Sequence, residues 1–226
     1  MMTNSGITFK EACNAFASGG KNQFGKMRPQ VSQNLIERQI AKQTRHHKHK
    51  GYNTDIRITA GVTLKGFRVD AGVMRPEIMT SVFLARYMFF ENGQYRGGRA
   101  LDMGCGSGII GAVMALNGAK SVVFSDVSKE ALENTRENTR IFGIESKSRI
   151  VASDLFENIR GKFNLIEFNH PFFSDLRLRA EAINSAMIQP ATLIHRFFED
   201  AKKHLLPRGK IIMPYYHIAG EANDPG

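Results

Sequence analysis

The chain has 226 residues, 42% hydrophobic and 23% charged, enough for one α/β domain with a sizeable core plus an extension. No stretch approaches the ~20 apolar residues of a membrane helix and the N-terminus shows no apolar signal core; Cys13 and Cys105 are the only cysteines, so no membrane helix, disulfide framework or cysteine-built zinc site is expected and a cytoplasmic, reducing location is. The net charge of +10 is concentrated, residues 1–70 holding 12 Lys+Arg against 4 Asp+Glu (+8) and residues 71–226 holding 19 against 17 (+2), which points either to an acidic partner such as nucleic acid or to a solvated basic face.

In chain order, Thr8-Phe9-Lys10-Glu11 has the form of a capping box, and Phe9, Ala12, Cys13 and Phe16 recur at helical spacing until Gly19-Gly20. A more polar helix is predicted near Val31–Arg45. It runs into Arg45-His46-His47-Lys48-His49-Lys50, where a phosphate-contacting or solvated strip fits better than a metal site, since a metal needs neutral, converging imidazoles. From Asp55 to Val69 the pattern changes to period two and predicts a β-hairpin turning at Lys65-Gly66. A helix is then expected to start at Pro76, with Met79, Val82, Phe83 and Phe90 on its apolar side. Strands at about 100–104, 121–126, 149–154, 163–169 and 210–216 alternate with helices near 108–117, 128–142 and 191–206, with Gly118 and Gly209 as stops. The expected fold is therefore α/β: a doubly wound, mostly parallel, Rossmann-like sheet preceded by a helical and β-hairpin extension. The division expected is 1–54 for the basic helical extension and 55–226 for the catalytic domain.

The chain is organised around Leu101-Asp102-Met103-Gly104-Cys105-Gly106-Ser107-Gly108-Ile109-Ile110-Gly111. A short apolar strand, three glycines in five residues and an apolar helix make a nucleotide-type binding loop, because glycine permits φ > 0 and close ligand approach and the free N–H groups of the helix start face the same space. Gly106 to Gly111 matches the dinucleotide pattern, but Asp102 at the strand end would repel a pyrophosphate and suit an ammonium. Asp126 ends the next strand about 20 residues on, where a doubly wound fold sets a carboxylate on a ribose diol.

Asp-x-Gly-x-Gly-x-Gly resembles the first motif of the class I S-adenosylmethionine-dependent methyltransferases. Asn169-His170-Pro171-Phe172 resembles the Asn-Pro-Pro-Tyr/Phe motif of those that methylate nitrogen on a planar system: glutamine amides, or exocyclic base amines in nucleic acid. Arg75-Pro76-Glu77 with Thr80 is similar to the Arg-Pro-x-Thr segment of the glutamine enzymes. The resemblance spans residues 75 to about 216. It implies S-adenosyl-L-methionine as cofactor, held by Asp102, Gly104, Cys105, Gly106, Gly108, Asp126, Val127, Asp154, Leu155 and Asn169, with the adenine between Val127 and Leu155. It implies catalysis by Asn169, His170, Pro171 and Phe172, the Asn169 side chain and the backbone carbonyl of residue 170 holding the acceptor N–H groups while Phe172 stacks on the planar group. His170 replaces the family's first proline. A residue before proline remains extended, so the chemistry is expected to survive. Pro214 suits an edge strand, and the family's two further strands are not found before Gly226, so either the chain is truncated or the sheet is short.

The reading is an N-methyltransferase acting on an exocyclic base amine in RNA, docked through the basic N-terminal region. The alternatives are a protein glutamine methyltransferase, a cofactor-binding module without turnover, and a nicotinamide-dependent oxidoreductase disfavoured by Asp102 and the Asn169 motif.

Overall fold

The computed structural model describes residues 38, 41–42, 44–45, 48–78, 80–172 and 192–214. The predicted helix after Thr8, His46 and His47, and Phe173 lie outside them; the described positions among 38–45 are helical. Among the described residues the elements run β1 (Tyr52–Arg57), β2 (Thr63–Val69), α1 (Thr80–Phe90), β3 (Arg99–Met103), α2 (Ile109–Leu116), β4 (Ser121–Asp126), α3 (Lys129–Ile141), β5 (Ser148–Ala152), β6 (Phe163–Phe168), α4 (Leu193–Ala201) and β7 (Leu205–Ile212). No helix among them is long and apolar enough to cross a membrane.

Five strands form one parallel sheet in the order β5-β4-β3-β6-β7. The chain steps outward from β3 to β4 and β5, then returns to lay β6 on the other side of β3. That reversal opens a crevice at the carboxyl ends of β3 and β6, the place where open α/β sheets bind ligands. Ala100, Leu101, Val122, Phe124, Leu165 and Ile166 are wholly buried, as befits strands covered on both faces. The expected parallel fold with a leading hairpin is the observed one.

Three local expectations need correction. The hairpin turns at residues 58–62, where Ile58 and Thr59 both donate to the Val62 carbonyl, and begins at Tyr52, inside the stretch assigned to the extension. Lys65-Gly66 is not its turn. Gly66, at φ +67°, sits in β2 where the register shifts between Thr54 and Ile56, so the positive φ that suits a turn here makes a bulge. The bulge moves the buried positions from Ile56, Ile58 and Leu64 to Phe67 and Val69.

The second correction is α1, which starts at Thr80, four residues after Pro76. It buries Leu84, Ala85 and Met88, leaving Phe83 and Phe90 exposed at 68% and 71%. A helix apolar all round gives periodicity no phase to read; its packing on α2 sets the phase. The third is the last strand, which begins at Leu205 instead of 210 and carries Pro207 and an Arg208 at φ +65°. The register slips between Phe163 and Leu165, so Gly209 belongs to a strand irregularity and not to a helix stop. A proline is tolerated there because β7 is the edge strand among the described residues.

Candidate active site

Asp102 lies in β3 immediately before its last residue, and the loop that follows turns through Gly104, Gly106 and Gly108 at φ +64°, +53° and +78°, a conformation that a Cβ would strain. Gly108 ends as the left-handed N-cap of α2. The loop is stapled to β4: Cys105 N–H donates to the Ser125 carbonyl (2.9 Å), and Gly106 N–H donates to Asp126 Oδ2 (2.9 Å). Ser128 N–H donates to Asp126 Oδ1 (2.9 Å), so each carboxylate oxygen keeps acceptor capacity toward the crevice. Burial raises the Asp126 carboxyl, and the N–H groups of Ser128, Gly106 and Val127 oppose that rise. A Cβ at Gly106 would meet nothing within 4 Å, and Val127 is 71% exposed at the tip of the next turn. An open glycine, a carboxylate with spare lone pairs and an exposed apolar side chain fit a nucleoside ligand.

Asp102 departs from expectation. It is buried and its Oδ2 accepts from Gly111 N–H (2.7 Å), so it offers a ligand above the loop its charge and not an open acceptor. Gly111 makes that contact possible, because a Cβ there would sit 2.8 Å from Asp102 Oδ2. Beside Asp102 in register on β6 stands Glu167, also buried. Burial pushes the Asp102 carboxyl up to about 7 against the opposing Gly111 N–H, and pushes Glu167 well above the usual carboxylate range, with the Asp102 charge adding to it. Cys105 is an inert packing residue: its thiol is buried against Thr135 Oγ1 (3.4 Å) and raised by burial.

The adenine side is more occupied than expected. Asp154 Oδ2 accepts from Arg196 of α4 (2.8 Å), and Leu155, at φ +47°, is turned into the core against Phe156 and Phe163. Only Val127 of the expected apolar pair stands open.

At the end of β6, the Asn169 carboxamide meets the start of α1. Thr80 Oγ donates to Asn169 Oδ1 (2.8 Å), and Asn169 Nδ2 donates to Ser81 Oγ (3.0 Å). The Thr80 segment and the Asn169 motif, 89 residues apart in sequence, thus form one structure. His170 is buried, its Nδ1 at the Pro171 carbonyl (2.8 Å) and its Nε2 at the Pro214 carbonyl beyond β7 (3.2 Å). Its ring therefore ties the acceptor loop to the neighbouring strand. Phe172 is buried with its ring 5.1 Å from that of His170 in an edge contact.

The inner face of α3 carries functional residues that the sequence reading missed. Asn138 Oδ1 accepts from Arg68 N–H (2.8 Å), while its Nδ2 reaches the carbonyls of Arg68 (2.8 Å) and Ser107 (2.9 Å). Asn134 accepts from Asp70 N–H and donates to the Arg68 carbonyl, and Thr135 Oγ1 donates to the Gly106 carbonyl (3.1 Å). A Cβ at Gly108 would come 2.8 Å from that same Thr135 oxygen. One helix face thus shapes the glycine loop and clamps the hairpin. The signal was present: Glu133-Asn134-Thr135-Arg136 is repeated as Glu137-Asn138-Thr139-Arg140, and a period of four puts both Asn-Thr pairs on the face begun by Ala131 and Leu132.

In the basic strip, Gly51 N–H donates to His49 Nδ1 (3.0 Å), which leaves Nε2 to donate to the Val73 carbonyl (3.0 Å). His49 is thus a structural imidazole that ties the strip to the Val73 backbone. No metal-type cluster of His, Cys, Asp and Glu occurs among the described residues.

Residues 79–220 match the family described as the methyltransferase small domain. The chain belongs to that family. The cofactor is S-adenosyl-L-methionine. The chain is 34% identical over 115 residues to "Ribosomal RNA small subunit methyltransferase C" of Hamiltonella defensa, covering 50% of this chain and 30% of that one. It is 30% identical over 158 residues to "Release factor glutamine methyltransferase" of Borreliella burgdorferi, covering 65% and 54%. The chain therefore spans about a third to a half of these relatives' lengths. Among solved structures, SMU.776 complexed with SAH shares the fold at a TM-score of 0.52 and 15% identity, covering 68% of this chain and 39% of that chain.

Proposed function

We propose that this protein transfers a methyl group from S-adenosyl-L-methionine to a nitrogen conjugated to a planar system, an exocyclic base amine in RNA. The observation that carries the reading is the adjacency of β3 and β6: it brings the glycine loop and Asn169 to one crevice from opposite sides of the switch point. The bound cofactor would supply an electrophilic methyl carbon. Asp126 would hold the ribose hydroxyls, Val127 would cover the adenine, and the Gly104 to Gly108 backbone would leave room for the amino-acid part.

At the acceptor side, a conjugated nitrogen is a poor nucleophile because its lone pair is delocalised. The Asn169 carboxamide, held rigid by Thr80 and Ser81, and the carbonyl of His170 would accept the two N–H hydrogens and turn the lone pair toward the methyl carbon. Positioning and fixed dipoles supply this kind of catalysis. His170 acts here through the loop: its bond to the Pro214 carbonyl provides stiffness where the family has a proline.

A protein glutamine acceptor is the second reading. It is supported by the 158-residue match to the release factor enzyme and by the Thr80–Asn169 contact. The +8 balance of residues 1–70 supports RNA, with a docking appendage proposed for residues 1–54, trimmed to the residues before the Tyr52 strand. Methyl-labelled cofactor offered to separated RNA and protein fractions tests both. Label in RNA is expected, label only in protein moves the glutamine reading ahead, and label in neither with tight cofactor binding leaves a binding module without turnover.

A further inference from the structure

Glu167 has no part in the chemistry above, yet it is buried completely in the middle of the catalytic sheet. Neither of its oxygens meets an N–H or O–H donor among the described residues. What reaches it is the Asp102 carboxyl, its register partner on β3. Asp102 in turn has one oxygen on the Gly111 N–H at the start of α2. Two carboxylates in contact inside a sheet cannot both ionise without a cation, and a buried acceptor without a donor is itself costly. One proton placed between them removes both difficulties.

We propose that Glu167 carries that proton at neutral pH, donates it to Asp102, and thereby sets the charge beneath the glycine loop, acting as a positioning residue that makes affinity for a cationic ligand depend on pH. The inference rests on the reading of the loop as the S-adenosylmethionine site.

The surroundings support it. The ionisable groups that face Asp102 and Glu167 are Asp126 at the end of β4 and the Cys105 thiol in the loop, while the facing residue of β7 is Ile212. No lysine, arginine or histidine among the described residues contributes to the electrostatics of either carboxyl. With Glu167 protonated and Asp102 ionised, one negative charge lies under the loop, opposite a ligand that bears an ammonium and a sulfonium. As pH falls through the Asp102 value, which burial raises above the usual carboxylate range, a second proton neutralises Asp102 and that attraction is lost. The affinity is thus present above this pH and fades below it.

Two measurements test the proposal. In cofactor-free wild-type protein, infrared spectra at neutral pH should show the carbonyl stretch of a protonated carboxylic acid, which Glu167→Gln removes. Its absence from the wild type overturns the proposal without reference to cofactor or variant. Calorimetry with S-adenosylmethionine from about pH 5.5 to about 8.5 reads the other half, because one unit of protonation shift is about tenfold in binding. Wild-type affinity should fall several-fold toward the acid end. Glu167→Gln replaces a neutral acid donor by a neutral amide donor and leaves Asp102 as it is, whereas Glu167→Met removes the donor that lowers the Asp102 carboxyl, so Asp102 takes up its proton at higher pH. Glu167→Gln should therefore follow the wild-type profile, and Glu167→Met should lose affinity from a higher pH, binding several-fold more weakly than the wild type near neutral pH. A Glu167→Gln profile displaced from the wild type, or a Glu167→Met profile superimposable on it, overturns the proposal. A wild type that shows the infrared band but binds no S-adenosylmethionine at any pH overturns the cofactor reading, and with it the ligand half of the proposal.

Discussion

The two halves of the crevice are built differently. The cofactor half is contiguous: β3, the glycine loop and α2 follow one another in 18 residues from Arg99 to Leu116, and the loop is stapled by N–H bonds to β4 and by side chains from α3. The acceptor half is assembled from a distance, with Asn169 held from α1 and His170 from beyond β7. Geometry needed by every member of a family can be written into a local motif. Geometry that selects an acceptor depends on which remote elements lean on the motif, and it changes without touching the motif itself.

The largest effect should come from the acceptor half. Asn169→Ala removes the carboxamide while leaving the loop intact, so methyl transfer should drop by about 10² or more with cofactor affinity unchanged by calorimetry. An active variant would end the planar-nitrogen assignment and the contrast between the halves. Next is Asn138→Ala, which orphans Arg68 N–H and the Ser107 carbonyl. Leaving buried groups unpaired costs about 1–3 kcal/mol each, so denaturant unfolding should show a loss on the order of 3 kcal/mol, together with weaker cofactor binding. If stability falls and binding does not, the loop holds its shape without α3. Asp126→Ala should weaken cofactor binding by about 1–3 kcal/mol and leave acceptor affinity alone; NAD binding more tightly than S-adenosylmethionine would sink the cofactor reading. The smallest effect per residue belongs to the basic strip. Neutral substitutions at Arg45, Lys48 and Lys50 should reduce RNA affinity and flatten its salt dependence by about one log–log unit for each phosphate that is no longer neutralised. Unchanged salt dependence assigns the strip to a solvated face.

The same contrast explains what was legible in the sequence. β3 to β5 and β6 read correctly because apolar runs buried on both faces alternate with helices that end at positions such as Gly118 (φ +107°). Asp126 comes to the glycine loop because its spacing from the loop is fixed by one βα unit, and Val127 follows it. Gly66 misled because a positive φ serves a turn and a bulge equally well. Phe83 and Phe90 misled because α1 is apolar on every side, and only its neighbour α2 decides which side is covered. Glu167 was read as one more strand residue, since its partner Asp102 lies far back along the chain on β3 and nothing local announces the pairing. Arg196 was invisible for the same reason: its ion pair with Asp154 joins elements that the sequence separates by 42 residues.

The Asn138 side chain has one further consequence. Because a single carboxamide holds Arg68 of β2 and Ser107 of the loop, the hairpin cannot peel from α3 without removing partners that orient the group holding a carbonyl of the glycine loop. Opening of the hairpin is thereby coupled to the order of the loop. Amide hydrogen exchange at Arg68 and Asp70, whose N–H groups are held by Asn138 and Asn134, therefore reports on the loop, and a ligand that closes over the loop should slow exchange in a strand it does not touch.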